Sequence, residues 1–185
     1  MQEISPDKKT AILNAALELF SEQGIHQTPV PQIAVRAGIG VGTIYRYFKN
    51  KEDLINSLYM DIHVRLIPFI RKDYSETAPV RANFLQYFSN FICYLVKHPA
   101  ELSLMEQYEN HPHSAGQSRT DYNVIFKRAS EDGFLKKLPF EMLGSIIMGM
   151  LISISKFYIK NGVEESFGEY SIIAGTEAIW DAISK

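Results

Sequence analysis

Three observations predict an all-α protein. Apolar residues recur at helical spacing along most of the chain, strand-type alternation is nearly absent, and prolines and glycines divide the pattern into about nine helices. The 185 residues are 46% hydrophobic and 22% charged, an ordinary globular composition, and suffice for one domain or a small head on a larger body. Net charge is −2, so no global field marks a polyanionic partner. Between Gln23 and Lys51, however, every formal charge is positive.

The elements follow in order. Ser5-Pro6 offers a cap and a first-turn proline; Ile12, Ala15, Ala16, Leu19 and Phe20 then keep one apolar face until Gly24 stops the helix. A brief second helix starts at Thr28 or its neighbour, takes prolines 29 and 31 in its first turn, turns Ile33, Ala34 and Ala37 inward and ends at Gly38. A third covers roughly 41–48. A fourth starts at Lys51-Glu52-Asp53, where acids suit a helix N-terminus, and reaches about Arg71, with Pro68 kinking or fraying its end. Longer and more apolar helices follow at roughly 79–97, 99–109, 117–132, 139–160 and 168–184, broken at Pro99, His111–Gly116, Gly133, Pro139 and Gly162. The expected division is a head, 1–51, and a larger helical body, 52–185.

Cys93 is alone, which fits a reducing compartment and a small buried hydrophobe. Charges at Glu3, Asp7, Lys8 and Lys9 do not fit a secretory leader. The longest uncharged apolar stretch, between Glu141 and Lys156, is shorter than the ~20 residues of a membrane span. A soluble, cytoplasmic protein with no membrane partner is expected.

Short helix, glycine turn, short helix is the geometry of a helix-turn-helix, whose second helix fits the major groove of DNA. At about 100° per residue, Ile44 and Phe48 share the inward face of the 41–48 helix. The opposite face centres on Arg46, with Gly42 and Thr43 beside it and Tyr45 and Tyr47 at its margins. Gly42 costs the helix about 1 kcal/mol relative to alanine, which makes sense where the backbone must come close to a phosphodiester. Lys49 and Lys51 follow at the next junction.

Residues 11–54, AILNAALELFSEQGIHQTPVPQIAVRAGIGVGTIYRYFKNKEDL, resemble the N-terminal DNA-binding domain of the tetracycline-repressor (TetR) family without gaps. The resemblance implies that the third helix reads the major groove. Thr43, Tyr45 and Tyr47 would touch bases or phosphates, and Lys51 a phosphate. Thr28, Gln32, Arg36, Gly42, Arg46 and Lys49 complete the candidate DNA-contacting set. Two departures from the family pattern stand out: Gly40-Val41 replaces the usual hydroxyl cap and lysine, so Arg46 takes over part of that phosphate contact. Prolines 29 and 31 also remove amides from the second helix.

The resemblance further implies a homodimer with a variable, effector-binding body. Leu143, Ile147, Met150 and Ile154 in one late helix, and Ile172, Thr176, Ile179 and Trp180 in the last, form apolar stripes that read either as a four-helix dimer interface or as monomer core. Tyr87, Phe91, Tyr94, Met105, Tyr108, Tyr122 and Phe126 are candidate lining for a small apolar or aromatic effector, or plain core. His111-Pro112-His113 lacks the further ligands of a metal site, and no catalytic or cofactor motif is present, so neither metal nor cofactor is expected. The expected function is a ligand-released repressor binding a pseudopalindromic operator as a dimer. An activator of the same family is the alternative, and an all-helical enzyme a remote one.

Overall fold

Proline sets where several helices begin, because its fixed φ suits a first turn and its missing amide costs nothing there. Pro6 opens α1 (Pro6–Gln23), Pro29 caps α2 (Val30–Arg36), Pro79 caps α5 (Val80–Lys97), Pro99 opens α6 (Pro99–Glu109) and Pro139 caps α8 (Phe140–Asn161). Between them lie α3 (Val41–Tyr47), α4 (Lys51–Ile70) and α7, of which residues 128–131 are described, and α9 (Glu165–Ile183) follows. This computed structural model describes the backbone of residues 6–109, 128–162 and 165–185, and side chains within those spans except at 6, 7, 109 and 165–171. The expected cap Ser5 and loop 111–116 lie outside the described residues, as does most of the helix expected at 117–132. The sole β feature among the described residues is an antiparallel bridge, Leu135 with Ser184.

The chain forms two compact units, one within Met1–Val64 and Ala100–Pro112, the other within Arg65–Pro99 and His113–Lys185. The boundary expected after residue 51 is therefore not where the compact units divide. Helix α4 runs unbroken across the division, and α6 joins the first unit.

In the first unit the predicted α1 stripe (Ile12, Ala15, Ala16, Leu19, Phe20) is buried with Ile33 and Ala34 of α2. Helix α6 adds Tyr108, stacked on Tyr59 of α4 at 3.9 Å between ring centres, with its hydroxyl donating to Asn56 Oδ1 at 2.9 Å.

In the second unit α5 is buried on most faces, through Phe84, Tyr87, Phe88, Phe91, Ile92, Tyr94 and Leu95. Such a helix needs cover on more than one side, and α8 and α9 both pack against it. Phe84 sits 4.3 Å from Phe88 and 4.9 Å from Trp180 between ring centres. Gly175 brings α9 close to Ile154 of α8: an added Cβ would lie 3.3 Å from its side chain.

This packing corrects one expectation. Leu143, Ile147, Ile172, Thr176, Ile179 and Trp180 are at most 6% exposed within a single chain. They are monomer core, because covering α5 uses the most regular stripes of α8 and α9. Met150 and Ile154 are half-buried. The outer apolar residues are others: Met142 at 49%, Phe157 at 60% and Ile173 at 44% exposure. Apolar residues on both sides also give α8 a mean hydropathy of 1.7, and by length and composition it could cross a membrane. It runs past both charges that bounded the predicted stretch. One face, with Leu143, Ile147, Leu151, Ser155 and Tyr158, is buried in the helical packing, while Met142, Phe157 and Ile159 stay exposed.

Phe84→Ala empties the junction of α5 and α9. Urea unfolding is expected to show a loss of about 3–5 kcal/mol.

Candidate DNA interface

The link between α2 and α3 is built by backbone geometry. Gly38 takes φ +67°, and the amides of Gly38 and Ile39 donate to the carbonyls of Val35 and Ala34 at 3.1 and 3.0 Å. This paired arrangement closes α2 and demands a residue free of Cβ strain. The chain then turns through Gly40 into α3, which has no side-chain cap.

Helix α3 is two-sided. Ile44 and Phe48 are 1% and 2% exposed and fix it to the first unit's core. Tyr45 is 53% exposed, Gly42 and Arg46 are exposed, and Thr43 and Tyr47 are half-buried. The hydroxyl, phenol and guanidinium groups anticipated on this helix therefore share an accessible surface, with Lys49 exposed just beyond it. A Cβ added at Gly42 would meet nothing within 4 Å, so packing inside the protein does not require this glycine.

Other members of the candidate set are tied up within the protein. Thr28 is fully buried; its hydroxyl donates to the Gly24 carbonyl at 2.7 Å, and Pro29 instead occupies the cap of α2. It has no surface with which to touch DNA. Arg36 forks across Glu18 at 2.9 Å and Glu22 at 3.1 Å, because α1 packs beside α2 and presents those acids one turn apart. The hydrogen bond from Arg36 holds the Glu22 carboxyl below its usual range, and Glu22 and Glu18 strengthen the proton affinity of Arg36. The pair is exposed and adds little stability, yet the guanidinium is no longer a bare cation. Gln32 stays exposed but accepts from Gln23 Nε2 at 2.7 Å. Both glutamines border a shallow groove between α1 and α2 with Leu19, Pro31 and Val35. Lys51 donates its ammonium to the Ile25 carbonyl, and partial burial lowers its pKa. It braces the head from within.

Sequence reading missed two residues. Asn50 Oδ1 accepts from the Asp53 amide, and Asp53 Oδ2 from the Lys49 amide, both at 2.8 Å. This reciprocal cap was signalled by the Asn-x-x-Asp spacing. Gln107 of α6 reaches the turn after α1, accepting from the Ile25 amide at 2.7 Å and donating to the Phe20 carbonyl at 3.0 Å. No local pattern announces it.

The candidate effector residues are divided. Tyr87, Phe91 and Tyr94 are buried in the second unit, Met105 and Tyr108 in the first. Tyr122 and Phe126 lie outside the described residues, as do His111 and His113. Among the described residues, no three His, Cys, Asp or Glu side chains gather as metal ligands.

A glycine-turned pair of short helices, the second anchored by two apolar residues and presenting polar groups outward, defines a helix-turn-helix DNA-binding protein. Residues 12–58 match the bacterial regulatory proteins of the tetR family. That match covers the helix-turn-helix head, and end to end the chain is similar to transcriptional regulators of that kind. A TetR-family transcriptional regulator from Haemophilus influenzae is 26% identical and superposes over 97% of both chains with a TM-score of 0.75. The fatty acid metabolism regulator protein of Bacillus subtilis is 42% identical over 74 residues, 40% of this chain and 38% of that one. The structure of the regulator FadR from Bacillus subtilis in complex with stearoyl-CoA has a TM-score of 0.62 at 23% identity, covering 93% of this chain and 95% of that chain.

Gly42→Ala is expected to stabilise the unbound protein by up to about 1 kcal/mol, since the new methyl group meets open space and alanine favours helix. The same variant should bind DNA more weakly. Thermal unfolding paired with a DNA titration checks both directions.

Proposed function

We propose that the protein is a homodimeric repressor that binds a pseudopalindromic operator and is released by a small molecule with a long apolar part. The observation carrying the DNA side is the two-sidedness of α3: two buried anchors and a polar outer face. On this reading Thr43, Tyr45, Arg46 and Tyr47 meet the major groove, Gly42 lets the backbone approach, and Lys49 grips a phosphate, with Gln32 at the edge. The protein then works in the cytoplasm, where bacterial DNA lies.

Two copies are needed because helix-turn-helix readers commonly address half-sites roughly 34–36 Å apart. The exposed apolar residues of α8 and α9, Met142, Phe157 and Ile173, are proposed to receive the partner. The effector class draws on the Bacillus subtilis relative named for fatty acid metabolism and the FadR structure holding stearoyl-CoA. An acyl chain also suits the aromatic α5.

Selection of bound fragments from random DNA should yield a pseudopalindrome, and stearoyl-CoA should release it. Arg46→Ala should relax specificity at one base pair per half-site by ~1–3 kcal/mol. An equal loss on random DNA would reassign Arg46 to phosphate. Sedimentation should show a dimer, with Phe157→Glu shifting it to monomer while the helical spectrum is kept.

A further inference from the structure

The turn at Gly24-Ile25 is held at all four of its backbone groups. The Gly24 amide donates to the Phe20 carbonyl at 3.0 Å, and its carbonyl accepts from the Thr28 hydroxyl at 2.7 Å. The Ile25 carbonyl accepts from Lys51 Nζ. Three of these partners come from the head itself. The fourth does not: the Ile25 amide donates at 2.7 Å to Gln107 Oε1, 82 residues later on α6. Gln107 Nε2 donates to the Phe20 carbonyl at 3.0 Å and to Ser103 Oγ at 3.2 Å, one turn back on α6.

The chemistry of this clasp is specific. An acceptor and a donor on one carbon must meet an amide and a carbonyl that point the same way, and among the ordinary side chains a primary carboxamide does this without charge. The turn itself is exacting, with Gly24 at φ +91°. It leads through the buried Thr28 and Pro29 into α2, which has no side-chain cap and a second proline, Pro31, in its first turn. The α1–α2 connection therefore depends on its tertiary hydrogen bonds for its pose. Helix α2 in turn packs against α3. Helix α6 lies outside the helix-turn-helix and follows α5 directly through His98 and Pro99. A hydrogen bond is lost within about an ångström of displacement, so a polar clasp reports the position of α6 far more sharply than apolar packing would.

We infer that Gln107 is a positioning residue for DNA binding: its carboxamide holds the α1–α2 turn so that α3 keeps its reading pose, tying operator affinity to the placement of α6. This rests on the repressor reading above.

The test compares wild type, Gln107→Leu and Gln107→Glu on the selected operator and on a random duplex by fluorescence anisotropy at pH 8 and pH 5.5. Thermal unfolding and amide exchange at Ile25 run alongside. Gln107→Leu should remain folded, bind the operator at least about tenfold more weakly and bind the random duplex within about twofold of wild type. In Gln107→Glu an ionised carboxylate still accepts from Ile25 but faces the Phe20 carbonyl with a second acceptor. A protonated carboxyl restores the donor. Because the neutral form is the one stabilised, the carboxyl pKa rises above its ordinary ~4.3. Operator affinity should thus be poor at pH 8 and recover towards wild type, measured at the same pH, at pH 5.5.

Operator binding by Gln107→Leu within twofold of wild type overturns the inference. So does a parallel loss on both duplexes, or a Gln107→Glu defect that ignores pH. Should the leucine variant fail to fold, the glutamate pH series decides. If wild type selects no operator, the repressor reading fails instead, and Ile25 amide exchange decides the clasp: accelerated in Gln107→Leu it stands, unchanged it falls.

Discussion

A helix of seven residues does not hold itself together in water, and α3 is one. It lacks a side-chain cap, begins after one glycine and contains another. What keeps it helical is the burial of Ile44 and Phe48, with the Phe48 amide closing the last turn onto the Ile44 carbonyl at 2.9 Å. Every other feature of the head follows from this dependence. Helix α1 packs on α2 and α2 on α3, and the Gly38 turn links the last two. Because two residues do the anchoring, Gly42, Thr43, Tyr45 and Arg46 are released from any structural duty.

The fold was legible because its signals are local. Apolar spacing in α1, the glycines that end α1 and α2, and the prolines that open later helices each act within a few residues, and the helices with described ends appear within about three residues of where the pattern places them. What a stripe faces is a different matter. Periodicity says that Leu143, Ile147, Ile172 and Ile179 share an apolar environment, but not whether it belongs to one chain or two. The aromatic α5 answers that, since a helix buried on several sides consumes the best stripes of its neighbours.

The outer face of α3 was legible for the same reason, since seven consecutive residues decide which side is buried and which is exposed. Outside α3, three of the candidate contacts are engaged within the protein. Thr28 is a turn brace, Arg36 is occupied by two glutamates, and Lys51 caps a carbonyl. A charge in a sequence shows only that a cation exists; whether it is spent internally depends on partners such as Glu18, or on a carbonyl 26 positions earlier. Gln107 is the limiting case, a polar residue whose backbone partners lie 82 and 87 positions away.

The internal use of Arg36 and Lys51 changes how the head meets a polyanion. Among the described residues, of the four formal cations between Gln23 and Lys51, Arg36 and Lys51 are engaged internally, while the exposed Arg46 and Lys49 show no ion pair or side-chain hydrogen bond. Each phosphate neutralised contributes a slope of roughly −0.9 to the dependence of log affinity on log salt. Two uncommitted cations around the reading helix therefore liberate few counterions. On the proposed reading the salt dependence is correspondingly shallow, and discrimination rests on Arg46 together with the uncharged hydroxyl and aromatic groups of α3.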